Sequence, residues 1–319
     1  MLAAIRTLRS ERKMTGMLDK ILKKLAAIHA FVEAQNARTI TVLAALFGLT
    51  AIAFAIFVSG PDDSVGTSKE ASAKAEQELA SLPPLTAKEI HRGLDYDLGE
   101  VASEKIAPDI IIKNIDVDLN RIRDVNEKKE TFFRIMLPII AQENDKIRAE
   151  RAKIMEDPAD APKSLYQKYD VEVGNVDELL RRVDVVPASL VLSQAALESG
   201  WATSRFARKG NNFFGMRTYN MDAPGMDPHQ AEGFKVMVFK NISGSVRAYI
   251  KNLNSHSAYK GLRKARAEMR AQNKIPSGRK LTNYLTAYSE IPEEYGKRLR
   301  SMMDRNDLDR FDGVRFADN

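Results

Sequence analysis

Between Pro187 and Ser199 the chain carries a helical pattern with almost no polar face. Ala188, Leu190, Val191, Leu192, Ala195, Ala196 and Leu197 cover most of its circumference, and a helix that is apolar all round is stable only inside a core. The rest of the fold must therefore wrap around this segment. Pro187 suits the start of the helix, and Gly200 suits a left-handed stop at its end. One acid stands at that end, Glu198, on the stripe of Val191 and Ala195 and so at the edge of the apolar interior. Partial burial disfavours a carboxylate, and so does the negative end of the helix dipole, so both raise its pKa. A carboxylic acid that keeps its proton near neutral pH is what a general acid requires. Position alone leaves a second reading open, a carboxylate paired with Arg205 or Arg208. Trp201, the one tryptophan, lies three residues on, where a ring can desolvate the acid or stack on a sugar face.

A second apolar run predicts the topology. Ile40 to Val58 carries no charge, and at ~1.5 Å per residue it reaches roughly 28 Å, the thickness of a bilayer's hydrocarbon layer. Residues 1–38 hold eight Lys/Arg against three Asp/Glu, while the far side opens on Pro61, Asp62 and Asp63. The positive-inside rule then keeps a basic tail, 1–38, in the cytoplasm, threads 39–60 through the membrane and exports the remainder. A cleaved signal peptide would show a shorter apolar core and a small-residue cleavage site, neither of which is evident. The expected location is the cytoplasmic (inner) membrane, single-pass, with the bulk of the chain on the periplasmic or cell-wall side.

Residues 61–124 read as an exported linker. The stretch 60–86 is rich in Ser, Ala, Lys and Glu, and 87–124 offers one short β-like run, Ile110 to Ile112, among many charges, as in a loosely attached segment. From 125 onward the pattern turns helical. Glu130 to Met155 is one amphipathic stretch in which Pro138 marks a kink or a first turn. Asn175 caps a helix through Arg182, with Glu178 as its capping-box partner. Residues 213–240 read as a loop and small β-hairpin, and helices are predicted over 243–254, 257–272, 282–289 and 293–303. The expected domain, 125–319, is α+β and mostly helical.

The residues around Glu198 carry a family resemblance. Ala195 to Trp201 reads Ala-Ala-Leu-Glu-Ser-Gly-Trp, followed by Ser204-Arg205-Phe206-Ala207 and Gly210-Asn211-Asn212-Phe213-Phe214-Gly215. This resembles the signature of bacterial peptidoglycan glucosaminidases, glycoside hydrolase family 73. Thr131 to Arg151, Phe239 to Tyr259, and the tyrosines Tyr288 and Tyr295 resemble the Bax-like, membrane-anchored branch. The resemblance implies a lysozyme-like fold and peptidoglycan glycan strands as substrate. It implies cleavage of the β-1,4 bond after N-acetylglucosamine with Glu198 as general acid. Family members commonly place a second acid on a mobile hairpin, for which Asp222, Asp227 and Glu232 are candidates and Glu232, just before the extended run 234–239, is the choice. An inverting base stands about 6.5–9.5 Å from the acid and a retaining nucleophile about 5–5.5 Å; in a third route the substrate's own acetamido group attacks, and Tyr288 would orient it. Trp201, Asn211, Asn212, Phe213, Gly215 and Tyr219 are the expected substrate-binding residues, with Asn211 and Asn212 open to a purely turn-forming role.

Composition narrows the alternatives. There is no cysteine, so thiol nucleophiles, disulfides and Cys-ligated metals are excluded, and the four histidines lie too far apart for a helical metal motif. No metal or cofactor is implied. The net charge of +6 points to an anionic partner. Its densest part, Lys260 to Lys280, has eight basic residues and one acid, and reads either as a patch for acidic wall polymer or as a solvated helix face. No nucleic-acid-binding motif is present. Two other functions remain open from sequence. One is a lytic transglycosylase or muramidase of similar fold, against which Phe214-Gly215-Met216-Arg217 argues; the other is a non-catalytic peptidoglycan-binding anchor.

Overall fold

The computed structural model describes residues 86–228, 233–288 and 291–317. Its first stretch corrects the sequence expectation. Helix α1 (Ala87–Ile90), a 3-10 turn over Arg92–Asp95, helix α2 (Leu98–Glu104) and strand β1 (Ile106–Ala107) occupy the segment predicted to be a linker. Leu94, Leu98, Ala107, Leu119 and Ile122 are buried in the same core as the later helices. Residues 86–124 are therefore part of the domain. Strand β1 pairs in parallel with β5 (Arg315–Phe316), Ile106 opposite Arg315 and Ala107 opposite Phe316, which ties the start of the described chain to its end.

The longest helix among the described residues, α3 (Val125–Glu156), is capped by Asp124, whose side chain accepts from the Glu127 N–H. Pro138 lies inside it. A proline has no N–H for the carbonyl four residues earlier, here that of Arg134. Tyr96 fills the gap, its hydroxyl donating to the Arg134 carbonyl at 2.8 Å while the Arg134 guanidinium donates to the Tyr96 carbonyl at 2.9 Å. The predicted linker thus supplies the hydrogen bond that lets α3 run through its proline.

Two short helices, α4 (Lys163–Tyr169) and α5 (Val176–Arg182), lead to the central one. Asn175 caps α5 as predicted, accepting from the Glu178 N–H, but the Glu178 carboxylate binds Arg182 instead of completing the expected capping box. Helix α6 (Ala188–Ser199) is the buried segment, with Gly200 at φ +58 ending it. It packs against α3 and against two later helices, α10 (Gly278–Leu281) and α11 (Pro292–Asn306). Asp312 joins the starts of α6 and α10, one carboxylate oxygen accepting from the Ser189 N–H and the other from the Gly278 N–H, at 2.9 and 3.0 Å.

The two helices approach closely at Gly278. A Cβ there would lie 2.1 Å from Ser189 Oγ and 2.8 Å from the Leu190 backbone nitrogen. Since a backbone atom cannot step aside as a side chain can, Gly278→Ala is expected to cost about 1–3 kcal/mol. Thermal unfolding checks this, with Tm falling by about 2–12 °C; an unchanged Tm would mean that the helices part freely.

After α7 (Arg205–Gly210) comes a three-stranded antiparallel sheet where a hairpin was expected: β2 (Arg217–Thr218), β3 (Gly225–Met226) and β4 (Lys235–Met237), in the order β2-β4-β3. Helix α8 (Ile242–Ser255) follows, then a 3-10 turn and α9 (Lys260–Ala271). The helix predicted over 282–289 is absent from its described part. Short α10 gives way to a 3-10 turn over Thr282–Tyr284, and the Thr282 hydroxyl donates back to the Arg279 carbonyl. The basic stretch 260–280 is not simply a solvated face either, because Arg263 and Arg266 are buried and Arg270 is paired with Asp184. Among the described residues no helix is long and apolar enough to cross a membrane. The span 39–60 and the tail 1–38 predicted from sequence lie outside the described residues.

Candidate active site

Glu198 sits in the last turn of α6, and its side chain is not paired with arginine. Arg208 binds Asp118 at 2.8 Å, and Arg205 donates to the Asp227 carbonyl at 2.7 Å. The hydrogen bond to Glu198 comes instead from α11, where the Tyr295 hydroxyl donates to Oε1 at 2.8 Å. Burial raises the Glu198 carboxyl to about 6, against the opposing pull of Tyr295 and the Arg217 guanidinium, both of which favour the anion. A carboxylic acid held there is a proton donor in weakly acidic solution.

Tyrosines and a glycine shape the surroundings. Tyr288 and Tyr295 stack with ring centres 5.5 Å apart, and Tyr249 of α8 stacks on Phe214 at 4.0 Å. The Tyr288 hydroxyl donates to the Phe214 carbonyl at 2.7 Å, which leaves its oxygen able to accept from a substrate amide. Gly215 has φ +63, and a Cβ there would come 3.6 Å from Glu198 Oε2, so its lack of a side chain keeps space beside that oxygen.

The loop before Gly215 is held from within. Asn212 donates both amide hydrogens, to the carbonyls of Met216 and Met237, and its oxygen accepts from the N–H groups of Phe214 and Met216. Its amide hydrogens and oxygen are engaged within the turn, the turn-forming alternative left open by the sequence. Phe213 is 1% exposed and belongs to the core. Asn211, at φ +49, ends α7 and donates to Asn114 and to the Phe239 carbonyl, the turn-forming role. Trp201 packs edge-on against Phe132 and Phe133 of α3, each 5.5 Å away, with Lys129 over its ring. The aromatic group hydrogen-bonded to the acid is Tyr295 of α11, not this indole. Tyr219, 75% exposed beside the sheet, is free to act as a platform. Asp222 and Asp227 are exposed, and Glu232 lies outside the described residues.

Two residues of this site, Tyr295 and Gln194, carry no functional assignment from the sequence. The Gln194 amide donates to the Tyr295 hydroxyl at 2.9 Å and accepts from Tyr249, so a hydrogen-bonded chain runs from α8 through α6 and α11 back to Glu198. The available signal was a long polar side chain in an otherwise apolar helix, one turn before the acid.

An acid tuned by burial at the end of a core helix, beside a loop that leaves it open, is a site for acid-catalysed hydrolysis. The family model described as mannosyl-glycoprotein endo-beta-N-acetylglucosaminidase matches residues 174–308. Protein bax of Escherichia coli (strain K12) is 33% identical over 207 residues, covering 59% of this chain and 73% of that protein. The catalytic domain of the autolysin Auto from Listeria monocytogenes is 17% identical with a TM-score of 0.31, covering 53% of this chain and 87% of that one. On the first two likenesses the chain belongs to the Bax-like glucosaminidase family, and so to the glycoside hydrolases.

Proposed function

We propose that this chain is a peptidoglycan hydrolase that cuts the β-1,4 bond after N-acetylglucosamine, with Glu198 protonating the leaving oxygen. The observation that carries the reading is the Glu198 carboxyl itself, raised to about 6 and hydrogen-bonded to Tyr295, with Arg205 and Arg208 engaged elsewhere. Proton donation to the glycosidic oxygen is the step for which a glycosidase needs such an acid. Glu232, from its place in the sequence, is proposed as the second carboxylate, and Tyr288 as the group that holds the acetamido side chain. Residues 39–60 are proposed to anchor the enzyme in the cytoplasmic membrane with the domain outside.

The test is incubation of the detergent-solubilised full chain with peptidoglycan, followed by identification of the new reducing ends. N-acetylglucosamine ends are expected. N-acetylmuramic acid or anhydro ends would overturn the bond assignment, and no cleavage would favour a binding anchor. The same assay has an expected pH dependence. The acid must be protonated, so kcat/KM is expected to fall as pH rises through about 6. A profile flat from pH 5 to pH 8 would show that another group delivers the proton.

A further inference from the structure

We infer that Gln194 is a positioning residue that fixes which oxygen of Glu198 carries the catalytic proton. The inference rests on Glu198 being the general acid. It comes from counting the hydrogens in the buried chain of Tyr249, Gln194, Tyr295 and Glu198. Tyr249 donates to Gln194 Oε1, Gln194 Nε2 donates to the Tyr295 oxygen, and Tyr295 donates to Glu198 Oε1. Gln194, Tyr249 and Tyr295 are all buried, so water cannot make up for a partner that is lost.

A tyrosine hydroxyl has one hydrogen to give, and an amide oxygen has none. When Glu198 is ionised, both its oxygens only accept, so Tyr295 must donate to it. Having given its hydrogen away, Tyr295 must accept from the Gln194 NH2, which turns the Gln194 oxygen towards Tyr249. This is the polarity present in the structure, and it is the one arrangement that satisfies all three contacts to a carboxylate. If the polarity persists when Glu198 takes up a proton, Oε1 is still accepting from Tyr295 and the proton goes to Oε2. Oε2 is the oxygen beside the space left by Gly215. The reversed chain, with the amide rotated, would make Glu198 donate inward to Tyr295 and hold its proton away from that space. Gln194 therefore acts through Tyr295, keeping Oε1 as the acceptor and Oε2 as the donor.

The groups that shift the carboxyl are Tyr295 of α11 and Arg217 of β2, while Tyr249 of α8 and Tyr288 are close enough for the Glu198 charge to raise their own hydroxyls. A change at Gln194 reaches the carboxyl through its two hydrogen-bond partners, Tyr295 and Tyr249, and leaves Tyr288 and Arg217 in place. Gln194→Glu replaces the amide with a carboxylate that only accepts. It would draw the Tyr295 hydrogen away from Glu198 and add negative charge one turn below it. Both effects stabilise the protonated form of Glu198. The expected result is a kcat lower by about tenfold or more, with KM within about twofold. The alkaline limb of kcat/KM should also move to higher pH, the shift equally expected of Tyr295→Phe, which removes the same donor. Tyr249→Phe, which frees the amide to rotate, should move kcat and the limb in the same directions by less, and it serves if Gln194→Glu does not fold.

A role that is only structural would lower Tm and the active fraction but leave the limb in place. An unshifted limb and unchanged kcat per folded molecule in the folded variants would overturn the inference. Glu198→Gln, run alongside, separates the two claims. If it is inactive and the Gln194 variants are unshifted, the relay fails and the general acid stands. If it retains turnover, the acid assignment fails and the relay falls with it.

Discussion

Glu198→Gln is expected to lower kcat by about 10²- to 10⁴-fold, the usual contribution of a positioned general acid. The amide has the same shape and can still accept from Tyr295, which donates to Oε1 at 2.8 Å in the native enzyme. Substrate binding should therefore change little, and the loss should fall on kcat. The same substitution carries its own control for folding. The Glu198 carboxyl is raised from 4.5 to about 6, so the folded state prefers it neutral. The stability this preference contributes is fully present below the unfolded value and is lost as pH rises through about 6. At 1.36 kcal/mol per unit, the native enzyme gives up about 2 kcal/mol on going to pH 8. The amide does not ionise and escapes that loss. Glu198→Gln should therefore match or exceed the native Tm at pH 8 and converge with it near pH 4. Turnover lost together with a lower Tm would point to a damaged fold, and turnover retained would remove Glu198 from the chemistry.

What the sequence shows of this site is what a single helix can show. The pattern of α6 announces its own burial, and Gly200 announces its end, so Glu198 could be placed at the rim of a core before any tertiary contact was known. The cap at Asn175 is local in the same way. Gln194 and Tyr295 act only because α6, α8 and α11 meet, and the pattern of one helix does not say which residue of another faces it. The motif likewise singled out Asn212 and Phe213, but whether such residues face sugar or protein depends on strands that pair 20 or so residues later. Those strands are two or three residues long, too short for an alternating pattern to emerge. The segment 86–124 failed as a prediction for a related reason. Its buried residues, Leu94, Leu98, Leu119 and Ile122 among them, are scattered singly. What fixes the segment is non-local: the hydroxyl of Tyr96 answering a carbonyl that Pro138 leaves without a donor.

Asp184→Asn is expected to cost about 3–5 kcal/mol, the usual penalty for stranding a buried charge. Asp184 is 3% exposed and Arg266 fully buried, their charged groups 3.5 Å apart. Arg270 closes the cluster with two hydrogen bonds to the same carboxylate, at 2.7 and 2.6 Å. Arg266 cannot leave when the charge on Asp184 is removed. Its guanidinium also donates to the carbonyls of Asp184, Val185 and Arg181 and to the Asn254 side chain, which holds α9 against the turn before α6. The cation would stay in place, desolvated and short of its counter-ion. For a domain of this size the penalty corresponds to a Tm lower by about 6–20 °C. The acid side carries a matching signature. Burial alone would raise the Asp184 carboxyl, but Arg266 and Arg270 outweigh it and hold it below the usual range. Its contribution is thus present above the unfolded value and is lost as pH falls through the folded one. Native protein should lose this stability below about pH 4, while Asp184→Asn, with nothing left to protonate there, should show a shallower acid transition. Turnover per folded molecule should be unchanged, because the cluster lies at the start of α6 and Glu198 at its end. A Tm within 2 °C or so of native would mean that water or a neighbouring group already balances Arg266, and the buried arginines of α9 would then have to be counted as solvated after all.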